Sequence, residues 1–355
     1  MTNNFFEKHS ILGLQPEIIK SDKSYSIVLY GNSPLAIKIF YQLAILSNLP
    51  NENILNLYLV DLKAKNFYKK LKKLFSGIKK ITHLNIITIE LDSKNPKFYT
   101  NKIWQKENLT NIIIATQNEK KNLKIKTELK NYISSKKTKI LLPIASRTNI
   151  NSKQIAKLIN YLYQETKYNP NLLFTQKDKD KAKTIWSNKI LLSDKKSTKM
   201  QSIHIDTKLL TLGLKKQKST KTPEELLKIN KEIFDKKLGF REIDDQKLQE
   251  YSLKFQDTKN NFTAIYFPKE FKSLFEKLIR SEHNRWNTYH YLNGWKYNKN
   301  KNKQLKEHNC LMPLEKFDKE YLKTTVIFDI YSIVYIPNLL ASVGVELVDI
   351  MEKTL

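Results

Sequence analysis

The chain has 355 residues, 63 Lys and Arg against 35 Asp and Glu, and a formal net charge of +28. Its length predicts two domains, and 40% hydrophobic with 28% charged residues suits a soluble globular protein in which either half can bury a core. A single cysteine, Cys310, excludes an intramolecular disulfide framework and fits a reducing, cytoplasmic compartment.

The charge invites a nucleic-acid reading, which the residue types oppose. Only Arg147, Arg241, Arg280 and Arg285 are arginine, and the lysines are spread along the whole length. Phosphate and base readout recruits the rigid arginine fork, so the excess reads as the codon usage of an AT-rich genome. Direct nucleic-acid function is therefore not expected.

Residues 1–23 read as a polar lead-in with apolar anchors and no signal peptide. Strands are then predicted at Ser26–Tyr30, Ile54–Val60, Asn85–Leu91, Asn111–Ala115 and Lys139–Ile144, with a short sixth at Leu172–Phe174. These are apolar runs without polar alternation, and amphipathic helices follow most of them, as at 119–135 and 152–163. That pattern predicts a parallel sheet covered on both faces, a doubly wound α/β domain over 24–175. From 176 to 225 the pattern fades, and the sign-alternating run Lys177–Lys181 reads as part of a connector. Thr222-Pro223-Glu224-Glu225 opens a helix with a cap, a first-turn proline and acids at the dipole's positive end. The remainder, 226–355, reads as mainly helical. Its most apolar window, Val326–Val345, holds Asp329, Pro337 and Asn338, which argues for buried helix over a membrane span.

Two segments carry candidate chemistry. The first is the turn Gly31-Asn32-Ser33-Pro34-Leu35-Ala36 after the first strand. In a dinucleotide fold, a first glycine makes the turn, a second admits the pyrophosphate, and a small third residue lets helix meet strand. Gly31 and Ala36 fit the first and third roles, while Ser33 holds the second. Its side chain would either crowd a pyrophosphate or hydrogen-bond one. Asp61, which closes the second strand, is placed to accept from a ribose hydroxyl, although it lies 30 residues after Gly31 rather than about 20. Lys63 would instead suit a 2′-phosphate. A surface or helix-capping role is the plain alternative for Asp61.

Together with Ile112-Ile113-Ile114-Ala115-Thr116, this arrangement resembles the TrkA-N type of Rossmann domain over about 25–150. The resemblance implies NAD(H) or a related nucleotide as ligand, with Gly31, Asn32, Ser33, Ala36, Asp61, Lys63 and Thr116 around it. It also implies pairing into a homodimer and a membrane transporter or effector as partner. A Rossmann scaffold that has lost its ligand is the competing reading.

The second segment is Glu282-His283-Asn284-Arg285-Trp286, then Gly294-Trp295-Lys296-Tyr297, then His308-Asn309-Cys310-Leu311-Met312-Pro313. Residues 270–293 read as one helix that stops at Gly294. The order of these residues resembles the RyR domain over about 245–345. Two departures are Asn309 where a proline is usual and Asn298 where a glycine is, the latter a residue that tolerates the left-handed conformation. The resemblance implies an aromatic groove formed by Glu282, His283, Arg285, Trp286, Trp295, Tyr297 and His308. A nucleotide-derived ligand would stack on the aromatics, with its phosphate on Arg285. Against this stands core packing of Trp286 and Trp295, with the charged residues as structural pairs.

No catalytic set is legible, and His283, His290, His308 and Cys310 are too sparse for a metal site. The expectation is a nucleotide-sensing regulatory protein. The alternatives are an NAD(P)-dependent oxidoreductase or NAD-consuming enzyme, and an interaction scaffold with degenerate ligand sites.

Overall fold

The computed structural model describes residues 5–12, 17–18, 23–143, 152–165, 171–238, 274–318 and 325–350. The predicted tip of the fifth strand at residue 144 and the helix start at 270–273 lie outside them.

The chain divides into two compact units, residues 1–149 with 287–311, and residues 150–286 with 312–355. The first unit opens with a single turn, α1 (Phe5–Lys8), and the buried pair Ile11 and Leu12. It then runs β1 (Tyr25–Tyr30), α2 (Pro34–Leu46), β2 (Leu55–Asp61), α3 (Ala64–Leu74), β3 (Leu84–Glu90), α4 (Pro96–Tyr99), β4 (Leu109–Ile114), α5 (Glu119–Leu129) and β5 (Lys139–Leu141). The five strands are all parallel, in the order β3-β2-β1-β4-β5. Every residue of β1 and β4 is buried, as parallel strands covered on both faces require. The lead-in is tied to the sheet: Asn111 Nδ2 and Thr110 Oγ1 donate to the Ile11 carbonyl at 2.7 and 3.0 Å.

The expected sixth strand is absent. Leu172–Phe174 forms no strand, and side chains satisfy its backbone: Asn338 Nδ2 donates to Leu172 O (2.8 Å) and Phe174 N donates to Ser342 Oγ (3.2 Å).

The second unit contains α6 (Ser152–Glu165), α7 (Gln176–Asn188), α8 (Leu192–Thr211), β6 (Leu214–Lys218) and α9 (Pro223–Leu238). Helix α10 (Leu274–Leu292) follows, its residues to Trp286 counting with this unit. The unit closes with α11 (Ile327–Val334), α12 (Ile336–Ala341) and β9 (Val345–Asp349). Strands β6 and β9 pair antiparallel, and buried Asn230 of α9 bonds both Val345 O and Leu347 N.

Residues 176–225 are therefore not a loop but two helices and a strand. Thr175 and Asp178 form a capping box that starts α7 within the charge run, and Ala182, Ile185 and Trp186 bury its inner stripe. Helix α8 hides from a hydrophobic pattern because it buries His204, Thr207 and Lys208 beside Ile203, Ile205 and Leu209. Thr222 caps α9 as expected, exchanging bonds with Glu225. The apolar stretch after Val326 is two short helices, split at Tyr335 with Pro337 in the first turn of the second. Among the described residues, no helix is long and apolar enough to cross a membrane.

Candidate functional site

The first site is the β1–α2 turn. Gly31 has φ +107°, and a Cβ there would meet Ala115 O at 2.7 Å, so the turn needs glycine both for its conformation and for contact with the end of β4. Ser33 is the N-cap of α2 and is buried. Its hydroxyl accepts from Ala36 N (3.1 Å) and donates to Ala115 O (2.5 Å). Through these two bonds Ser33 pins the turn to the end of β4. Gly31 N donates to Val60 O and Pro34 has no N–H, so Asn32, Ser33 and Leu35 are left to supply amides for an anion.

Asp61, at the end of β2, stands beside this turn. Its Oδ1 accepts from Asn32 Nδ2 and from Lys63 N, both at 2.9 Å, which orients the carboxylate with no charged partner at that oxygen among the described residues. Lys63 is exposed at the start of α3. Across the turn, Thr116 N donates to Asn122 Oδ1 (3.2 Å), and the Thr116 hydroxyl bonds the same oxygen. The structure thus gathers Gly31, Asn32, Asp61 and Lys63 at the C-terminal ends of β1 and β2. Thr116 is on the far side of Gly31, with Ser33 and Ala36 beneath. Asn122, which holds Thr116, was missed by sequence reasoning.

The second site begins on α10, in the second unit. Glu282 and Arg285 sit one turn apart and are 2% and 1% exposed. Arg285 Nε and Nη2 both reach Glu282 Oε1 (2.9 and 2.8 Å), and Nη1 reaches Ser197 O (3.4 Å). Glu282 Oε2 receives Lys208 Nζ at 2.9 Å and faces His204 Nδ1 at 3.4 Å. Lys208 donates further to Ser332 O and Oγ (3.3 and 3.2 Å), so its three protons have three acceptors. Burial pushes Glu282 up, but the charges of Arg285 and Lys208 outweigh it and hold the carboxyl well below its usual range. Burial draws His204 and Lys208 down. Arg285 thus faces a carboxylate inside the unit.

His204, Lys208 and Ser332 were not singled out from the sequence. One signal existed: His204, Lys208 and Thr211 recur at helical spacing within an apolar run.

His283, on the next face of α10, is buried between two acceptors, with Nδ1 3.0 Å from Asp329 Oδ2 and Nε2 2.8 Å from Met312 O. With Asp329 ionised, both nitrogens carry protons to satisfy both contacts. Burial pulls its pKa down, but the Asp329 and Met312 contacts prevail and raise it. Trp286 stacks on His283 at 6.1 Å between centroids and is half-buried.

The remaining residues belong to the first unit. Gly294 (φ +80°) ends α10 in a left-handed turn with Trp295 N bonded to His290 O. Trp295 meets the His290 ring edge-on at 5.2 Å and His308 at 6.3 Å. His308 Nδ1 accepts from Cys310 N at 3.1 Å, which leaves the proton of the neutral ring on Nε2. Trp295 is half-buried, and Tyr297, in β7 (Lys296–Tyr297), is 45% exposed. Strand β7 pairs with β8 (Glu307–His308), and Asn298 Nδ2 donates to Glu307 Oε2 (2.7 Å). Asn298 does not adopt the left-handed conformation it tolerates; in this segment Lys306 does, with φ +53°. Both tryptophans are half-buried rather than core.

This segment packs on the sheet's helices. Asn293 Nδ2 donates to Tyr41 Oη at 2.8 Å, Tyr289 meets Tyr41 edge-on, and Gly77 lies directly against the Tyr291 carbonyl. Among the described residues, no group of three or more His, Cys, Asp or Glu is placed to hold a metal ion.

The five-stranded parallel sheet with its glycine turn defines a Rossmann-like domain followed by a mainly helical region. Within that region, residues 257–331 match the family model of the RyR domain. Comparison with curated proteins and with solved structures found no match.

Proposed function

We propose that this chain is a non-catalytic, cytoplasmic regulatory protein that binds NAD(H) or a related nucleotide at the β1–α2 edge of its Rossmann-like sheet. The observation that carries this reading is the juxtaposition of Gly31 and Asp61. Open parallel sheets hold ligands beyond the C-terminal ends of the strands, where strand order reverses, here between β1 and β4. Gly31 lets backbone come close there, and Asp61 is oriented by Asn32 and Lys63 N with its carboxylate beside the turn. The resemblance of residues 25–150 to TrkA-N domains supports the same ligand class. It also supports a homodimer acting on a membrane transporter or effector.

For the RyR-matching segment we propose a nucleotide-derived ligand or a partner protein. In the first unit, the half-buried Trp295 and exposed Tyr297 offer flat surfaces on which a purine stacks. Arg285 is not its phosphate contact, because Glu282 occupies its fork.

One observation favours a scaffold instead. Pro34 lacks an amide and Ala36 N is bonded to Ser33, so the turn holds fewer donors than a full phosphate cradle.

A thermal-shift panel on the full chain with NAD, NADH, NADP, ADP-ribose, cyclic ADP-ribose, ATP and cyclic dinucleotides separates the two. A ligand that binds only the folded state must raise the melting temperature. A shift with one compound supports the sensor; a flat panel at about millimolar ligand sinks it and leaves the scaffold.

A further inference from the structure

Although lysine is spread along the chain, one segment concentrates it. Eight of the nineteen residues 62–80 are lysine, and none is acidic. All eight are exposed. Helix α3 turns Ala64, Phe67 and Leu71 inward and packs on β2 and β3, so its lysines cover the outer side. Their partners neutralise little of the charge: Lys65 has Glu90 at 3.4 Å, while Lys72 and Lys80 lie over the rings of Tyr68 and Tyr291. Leu62 and Leu74 bracket the helix and are 60% and 52% exposed.

We infer that the α3 face docks this protein on an anionic phospholipid surface. The partner must be a polyanion, because so many like charges on one face repel each other until counter-charge arrives. Lysine is a compact, hydrated point charge, suited to a diffuse field of headgroups more than to forked readout of one phosphate. The leucines select the bilayer. At either end of a helix about 16 Å long, two exposed apolar side chains gain by entering the acyl boundary, and a nucleic-acid backbone offers them nothing comparable.

The experiment is sedimentation of the full chain with vesicles of phosphatidylcholine alone or with about one third phosphatidylserine. Binding is expected only to the anionic vesicles, falling steeply as salt rises from about 0.05 to about 0.5 M. K69E/K70E/K73E should weaken it by about a hundredfold. K120E/K124E/K130E makes the same charge change at exposed positions on and just after α5, and should leave affinity within about threefold. L62N/L74N should cost about tenfold while keeping the salt dependence. Circular dichroism checks that each variant is folded. Equal losses from the two lysine triples would reduce the effect to overall charge and overturn the proposal. So would no binding of the wild type to anionic vesicles, an unchanged leucine variant, or tighter binding of the same lysines to duplex or single-stranded nucleic acid.

Discussion

Glu282 Oε2 lies 2.9 Å from Lys208 Nζ, and neither side chain reaches solvent. The two residues are 74 positions apart in sequence, yet with Arg285 they form one buried charge cluster. Two cations around a single carboxylate make that carboxylate the member whose loss is least tolerable.

Glu282→Gln should therefore destabilise the protein by about 3–5 kcal/mol, because it leaves Lys208 and Arg285 facing one another without a counter-charge. Urea unfolding reads this as a lower midpoint at unchanged slope. A loss below about 1 kcal/mol would refute the cluster as a structural element. Since the folded-state pKa of Glu282 is depressed, its contribution is present above the ordinary value of 4.5 and lost only as pH falls through the depressed value. Mild acid should leave the cluster intact.

His283 behaves in the opposite sense. Its folded-state pKa is raised above 6.5, so its bond to Asp329 contributes fully below that pH and is lost as pH rises through the raised value. Stability measured from pH 6 upward should fall more steeply in the wild type than in His283→Gln. Parallel slopes would show that the ring does not carry the second proton.

Gly31→Ala places a methyl group against Ala115 O in a backbone conformation that side chains avoid. The expected cost is about 1–3 kcal/mol, together with loss of any nucleotide-induced shift. Differential scanning fluorimetry with and without ligand measures both. A variant as stable as the wild type would show that the turn relaxes freely.

Asp61→Ala tests the ribose role. Among the described residues the Asp61 side chain bonds exposed groups, so folding should change little, whereas affinity for the nucleotide that binds should fall by about ten- to thirtyfold. Calorimetric titration decides this, and unchanged affinity would remove Asp61 from the site.

Gly77→Ala should loosen residues 287–311 from the sheet's helices, because the new methyl group would collide with the Tyr291 carbonyl. A destabilisation of about 1–3 kcal/mol is expected, with faster amide exchange in α10 from Thr288 onward. Exchange unchanged from the wild type would show that this contact is not what holds the segment.

Several features could be read from the chain because their causes are local. An apolar run such as Ile112-Ile113-Ile114 makes a buried parallel strand wherever helices flank it. Gly294 stops α10 because only the residue at that turn must go left-handed. Gly31 announced itself for the same reason, and the capping box of Thr222 and Glu225 lies within four residues. Helix α8 was illegible because its inward stripe includes charge. A buried lysine looks like a surface lysine until its acceptors are known, and those of Lys208 come from α10 and α11.

By itself the sequence determined the parallel strands, some helix ends such as those at Thr222 and Gly294, and the glycine turn, since short-range sterics and hydrophobic periodicity decide these. Tertiary structure alone decided that Ser33 binds β4, that Arg285 faces Glu282, and that residues 287–311 pack with the sheet. Each of those outcomes depends on which distant group supplies the partner once water is excluded, and residue type does not encode that distance.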